Sequence, residues 1–158
     1  MSEDKPCNIV EAYAVASKTA AKYPQKRRIY DKVADFCEND RVCRTEDTVK
    51  RNTLLFWTYD HMAGEYAESK RYEQAFETWR KALSLVWSPE EQIRLGQKML
   101  DAVDHSRLSI PRKAGAIAET AAYLQQAYQQ IGDEENSQRM KRMVDLASDL
   151  IKIPRNQN

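Results

Sequence analysis

FWTYDHMAGEYAESKRYEQAFETWRKALSLVWSP, residues 56–89, decides the fold. Tyr59, Met62, Ala63 and Tyr66 recur three and four apart, the spacing of one face of a helix. Lys70-Arg71 makes a short polar turn, after which Tyr72, Ala75, Trp79 and Ala82 resume the same period toward Val86. Two helices joined by so short a turn lie antiparallel. Ala63 and Ala75 let them approach closely, Trp79 and Tyr66 fill the volume that remains, and Ala82 makes room for whatever follows.

The same reading extends in both directions. Ser88-Pro89-Glu90-Glu91 is a strong helix start: Ser88 caps, Pro89 sits where a missing N–H costs nothing, and Glu91 is expected to complete a capping box. Ile93, Gly96, Leu100 and Val103 keep register behind it, and Ser106 to Ile110 is a loop. Pro111 opens the next helix, along which Ala114, Ile117, Ala121, Leu124, Tyr128 and Ile131 alternate three and four apart until Gly132 closes it with a left-handed cap. A last helix runs from about Glu134 to Ile151 through Met140, Met143, Val144 and Ala147, and Pro154 begins a polar tail. Upstream, Thr45 caps the helix that carries the decisive stretch, and residues 39–46 form a polar linker. Before the linker lie two helical segments, about 8–22 with Ile9, Tyr13, Ala16 and Ala20, and about 25–38 with Ile29, Val33 and Phe36, parted by Pro24.

Composition agrees. The 158 residues suit one domain and hold four glycines and five prolines, where roughly 12% of a chain is usual. So few chain-breakers leave little room for the turns of a many-stranded sheet. The chain is expected to be all-α, with about seven antiparallel helices. Its 25 basic and 24 acidic residues leave a net charge of +1, which argues against nucleic acid or an anionic membrane as partner. No stretch approaches a membrane span, and Met1-Ser2-Glu3-Asp4-Lys5 does not open a signal peptide. Cys7, Cys37 and Cys43, odd in number and sparse, point to reduced thiols and a cytoplasmic setting.

Tyr59-x2-Met62-Ala63-x2-Tyr66, then Tyr72, Ala75-x3-Trp79 and Ala82, resembles one tetratricopeptide repeat, a helix–turn–helix unit with W-x2-L-G-x2-Y spacing in its first helix. Trp87 stands where that family usually has proline, with Pro89 two residues late. The resemblance implies a right-handed stack of helical hairpins: an N-terminal hairpin at 8–38, the repeat-like unit at 47–89, a degenerate unit at 89–131, a capping helix at 134–151 and a tail at 152–158. A rival register pairs the last two helices as a unit instead. The cap is expected to turn Arg139, Lys141, Arg142 and Asp145 to water. In such proteins the first helix of each unit lines a concave surface, which would place Trp57, Asp60, His61, Gly64 and Glu68 on or near it. The family's clamp for acidic C-terminal peptides needs Lys and Asn where Asp60 and Gly64 stand, so that mode of binding is disfavoured.

Catalytic signatures are absent. There is no glycine-rich phosphate loop. His61 and His105 stand far apart, and the Cys37-x5-Cys43 spacing with His61 is poor for zinc, so neither metal nor cofactor is expected. Glu90-Glu91 and Glu134-Glu135 suit the positive ends of helices, and the clusters Lys26-Arg27-Arg28, Lys50-Arg51 and Arg139-Lys141-Arg142 are interleaved with acids as solvated faces. The expected function is therefore non-enzymatic: an adaptor, scaffold or chaperone-like module that holds a peptide or partner helix in a groove. The alternative is a homodimeric helical bundle joined through the apolar strip from Ala114 to Ile131.

Overall fold

The computed structural model describes residues 48–86 and 88–152. The predicted hairpin at 8–38, all three cysteines, Trp87 and the tail beyond Lys152 lie outside the described residues. Within them stand five helices and no strand: α1 (Thr48–Glu68), α2 (Tyr72–Leu83), α3 (Pro89–His105), α4 (Ile110–Gln130) and α5 (Glu134–Lys152). Each packs on its neighbour in sequence.

The turns explain the sharp reversals. At the end of α1 the Arg71 N–H bonds to the Tyr66 carbonyl (2.8 Å) and the Lys70 N–H to Ala67 (3.0 Å), with Lys70 left-handed at φ 61°. α4 ends in the same way, with bonds from Asp133 to Tyr128 (2.9 Å) and from Gly132 to Gln129 (3.1 Å) around Gly132 at φ 78°. Both are Schellman closures, which satisfy the last carbonyls of a helix while turning the chain. Glycine accepts that backbone freely, whereas a side chain there costs about 1–2 kcal/mol. Asp133 then starts α5 by accepting from the Asn136 backbone N–H at Oδ1 (3.1 Å) and from its Nδ2 at Oδ2 (2.7 Å). The side-chain bond first, and the backbone bond second, hold the Asp133 carboxyl below its ordinary range.

Two local expectations need correction. α2 stops at Leu83 rather than near Val86, because the Leu85 and Val86 N–H groups tighten onto carbonyls three residues back (3.0 and 3.2 Å). Gln92 Nε2 then takes the Val86 carbonyl (3.2 Å) and fixes the exit. The capping box at α3 is half made. Ser88 Oγ accepts from the Glu91 N–H at a long 3.5 Å, but the Glu91 carboxylate is drawn to Arg94 (2.7 and 2.9 Å) instead of reaching back. A guanidinium one turn away is a better partner for a carboxylate than a neutral amide.

The first core cluster joins α1, α2 and α3, with Ala63, Ala75, Ala82, Leu95 and Val103 fully buried. A second centres on Ala121, Leu124, Tyr128 and Met140, with Ile93 and Leu100 of α3 and Met143 and Val144 of α5 packed against it. Gly96 is the joint between them. A Cβ there would lie 2.5 Å from Leu124 Cδ2 and 2.7 Å from its Cγ, so α3 and α4 approach this closely because residue 96 has no side chain.

The strip on α4 is spent inside the molecule. Ala114, Ala121, Leu124 and Tyr128 are buried, and Ile131 alone of its predicted members is largely exposed, at 43%. On α5, Arg139, Lys141, Arg142 and Asp145 face water as expected. Ile151, placed on the packed face by its spacing, is 47% exposed, and Leu146 is 67% exposed beside Ile110. The reason is geometric: among the described helices α5 packs chiefly on α4, so the flank of its stripe past α4 is exposed. Ser137, fully buried on α5, has a hydroxyl without a hydrogen-bond partner among the described residues. Ser137→Ala removes that unsatisfied group and is expected to raise stability by about 1 kcal/mol in urea denaturation, whereas a loss would show the hydroxyl to be bonded.

Candidate functional site

Helical spacing puts Asp60, Gly64 and Ala67 on one face of α1, and Arg94, Gln97, Lys98 and Asp101 on one face of α3. Those faces flank a cleft of about 480 Å³, and Tyr72 and Trp79 of α2 also line it. Gly64 borders open space, since a Cβ at that position would have nothing within 4 Å.

The wall is held by a charged chain of contacts. Trp79 Nε1 donates to Asp60 Oδ1 (2.9 Å), and Asp60 Oδ2 accepts from Arg94 Nη2 (2.9 Å), which also reaches Glu91 Oε2 (2.7 Å). Asp60 thus ties all three helices together from a side chain only 13% exposed. Burial by itself would lower the Arg94 pKa, but hydrogen bonds to Glu91 and Asp60 outweigh it and raise the value above the ordinary one. The Lys98 ammonium lies 5.7 Å from the centre of the Trp79 ring, within cation–π range. Gln97 Nε2 donates to the Tyr128 hydroxyl (2.8 Å), which fixes this face of α3 against α4. The cleft therefore combines aromatic surface with polar groups whose positions are set by neighbours. Such a site can seat an apolar side chain and orient the chain that carries it.

The predicted site residues divide. Gly64 lines the cleft, and Asp60 holds its wall. Trp57, 45% exposed, packs edge-on to Phe56 (centroids 5.6 Å apart) and stacks on His61 (6.4 Å, 29°), so these two form an adjoining aromatic pair on α1 outside the cleft lining. Glu68 is exposed in the last turn of α1. Sequence reasoning missed Tyr72, Arg94, Gln97, Lys98 and Asp101. The polar i, i+3, i+4, i+7 face of α3 was visible as a pattern, but nothing local says that it looks toward Gly64.

Among the described residues no three His, Cys, Asp or Glu side chains are grouped to hold a metal, and no helix is long and apolar enough to cross a membrane. No family model, curated protein or solved structure matches the chain.

Proposed function

We propose that the protein is a non-enzymatic interaction module in which a tetratricopeptide-like right-handed stack of hairpins grips a peptide or partner helix in the cleft between α1 and α3. The observation that carries this reading is the space beside Gly64, bounded by aromatic surface and by a polar rim already fixed by internal bonds. Its volume falls in the range of pockets that bury most of a small ligand, about 300–1,000 Å³. Ala67 and Tyr72, both part-exposed, supply the apolar anchor surface over the buried Trp79, while Arg94, Lys98 and Asp101 set which charges are tolerated at the rim. The repeat-like reading draws support from Ala63 and Ala75, both fully buried where two helices must approach. The homodimer alternative draws less support, because Ala114, Ala121, Leu124 and Tyr128 of the α4 strip are buried.

Gly64→Phe tests the reading. Peptides are first selected from a random displayed library against the unaltered protein. A phenylalanine side chain enters open space, so folding should not suffer, and a non-glycine residue inside a helix returns roughly 0.5–1 kcal/mol. Selected peptides should bind the variant at least about tenfold more weakly, the equivalent of 1.4 kcal/mol. Unchanged peptide affinity with an unchanged melting temperature would refute the site.

A further inference from the structure

Beside the groove, and sharing Tyr72 with it, lies a second cleft of about 390 Å³. It forms where the α1–α2 turn meets the start of the α3–α4 loop, so residues remote in sequence converge: Lys70 and Arg71 from the first, His105, Ser106 and Arg107 from the second. Lys70, Arg71 and Arg107 are exposed, and none forms an ion pair with a described residue. By contrast Arg80 is matched to Glu119 (2.7 Å) and Arg94 to Asp60 (2.9 Å). Against these three cations the cleft sets one carboxylate, Glu73. Ser106 is buried and already committed, its hydroxyl donating to the Val103 carbonyl (2.7 Å). Tyr72 and His105 are in ring contact, with centroids 5.4 Å apart, and together they bridge the groove to the cationic end.

Resting on the groove reading, we propose that this cleft receives the phosphate group of a phosphorylated side chain on the segment bound in the groove. The charge balance selects the ligand. A carboxylate offers one negative charge and leaves the cations largely unmatched, whereas a phosphate monoester carries about −1.5 to −2 at pH 7 with three acceptor oxygens. Guanidinium groups such as those of Arg71 and Arg107 present paired donors that suit such oxygens. His105 is already engaged by Asp101, with Nδ1 2.9 Å from its carbonyl and 3.5 Å from its carboxylate, so the cations left to face an anion are Lys70, Arg71 and Arg107. Tyr72 lines both the groove and the cleft, so an extended chain seated in the groove can place an apolar side chain on one side of Tyr72 and an anion on the other.

The test uses the full chain, with phenyl phosphate as probe and phenyl sulfate as a control of similar shape and lower charge, followed by amide NMR shifts. Phenyl phosphate should move the signals of Arg71, Tyr72 and Arg107 and bind at least about fivefold tighter than phenyl sulfate. Arg71→Gln combined with Arg107→Gln should weaken it about tenfold or more. Lys70→Gly removes a cation while relaxing the left-handed turn, so it should weaken binding several-fold with no fall in melting temperature. Equal affinity for the two probes, or binding indifferent to these substitutions, overturns the proposal. So does capture by phosphatidic acid vesicles without phenyl phosphate binding, which would assign the cleft to a lipid surface. Gly64→Phe separates this site from the groove, since it should weaken peptide binding by the same tenfold or more yet leave phenyl phosphate binding intact.

Discussion

Trp79→Ala should lower folding stability by about 3–5 kcal/mol, the cost of deleting a large buried aromatic side chain. Trp79 is 5% exposed in the cluster shared by α1, α2 and α3, so no single helix can shift to fill the hole. Its loss also strips Asp60 of the indole N–H and leaves that part-buried carboxylate to Arg94. Trp79→Phe divides the two effects. It keeps most of the ring volume but not the donor, and a hydrogen bond to a charged group is worth about 1.5–3 kcal/mol. It should therefore fall between parent and alanine variant. Urea midpoints with unchanged slope provide the measurement. An alanine variant that unfolds like the parent would mean that the α1–α2 pairing is mis-registered.

The second large effect lies at the joint between the clusters. Leu124, 1% exposed, rests on the bare backbone of Gly96, and Leu124→Ala should cost about 2–5 kcal/mol. Gly96→Ala drives a methyl into Leu124, an overpacking of about 1–3 kcal/mol, partly offset by about 1 kcal/mol of helix propensity. Combined, the two substitutions should be less harmful than the two losses added together, because the new methyl enters space that the leucine vacates. A coupling of at least about 0.5 kcal/mol in a double-mutant cycle is expected. Strict additivity would show that the two side chains do not meet.

Much of the fold was legible because its signals are local. The turn at Lys70-Arg71, the cap at Gly132 and the start at Ser88-Pro89 each depend on a few consecutive residues, and each lies at or beside a described helix end. Where such signals failed, a competing neighbour had intervened: Arg94, three residues on, took the Glu91 carboxylate, and the Leu85 and Val86 N–H groups tightened onto carbonyls three residues back. The candidate site was less legible. Gly64 could be singled out because a glycine inside a helix leaves a gap, but Lys98 and Asp101 looked like any solvated face.

What the amino-acid order determined alone, over the described residues, is the five helices, their approximate ends and the small residues at which α1 and α2 touch, since periodicity, capping and side-chain size act within a turn or two. Only the tertiary structure decided that Arg94 and Lys98 face Gly64, and that Lys70 and Arg71 meet Arg107. The rotation of one helix about its axis against the next is set by packing between distant residues, such as Leu124 on Gly96 or Trp79 with Asp60. That rotation chooses which polar faces converge, and it leaves no mark in the spacing along any single helix.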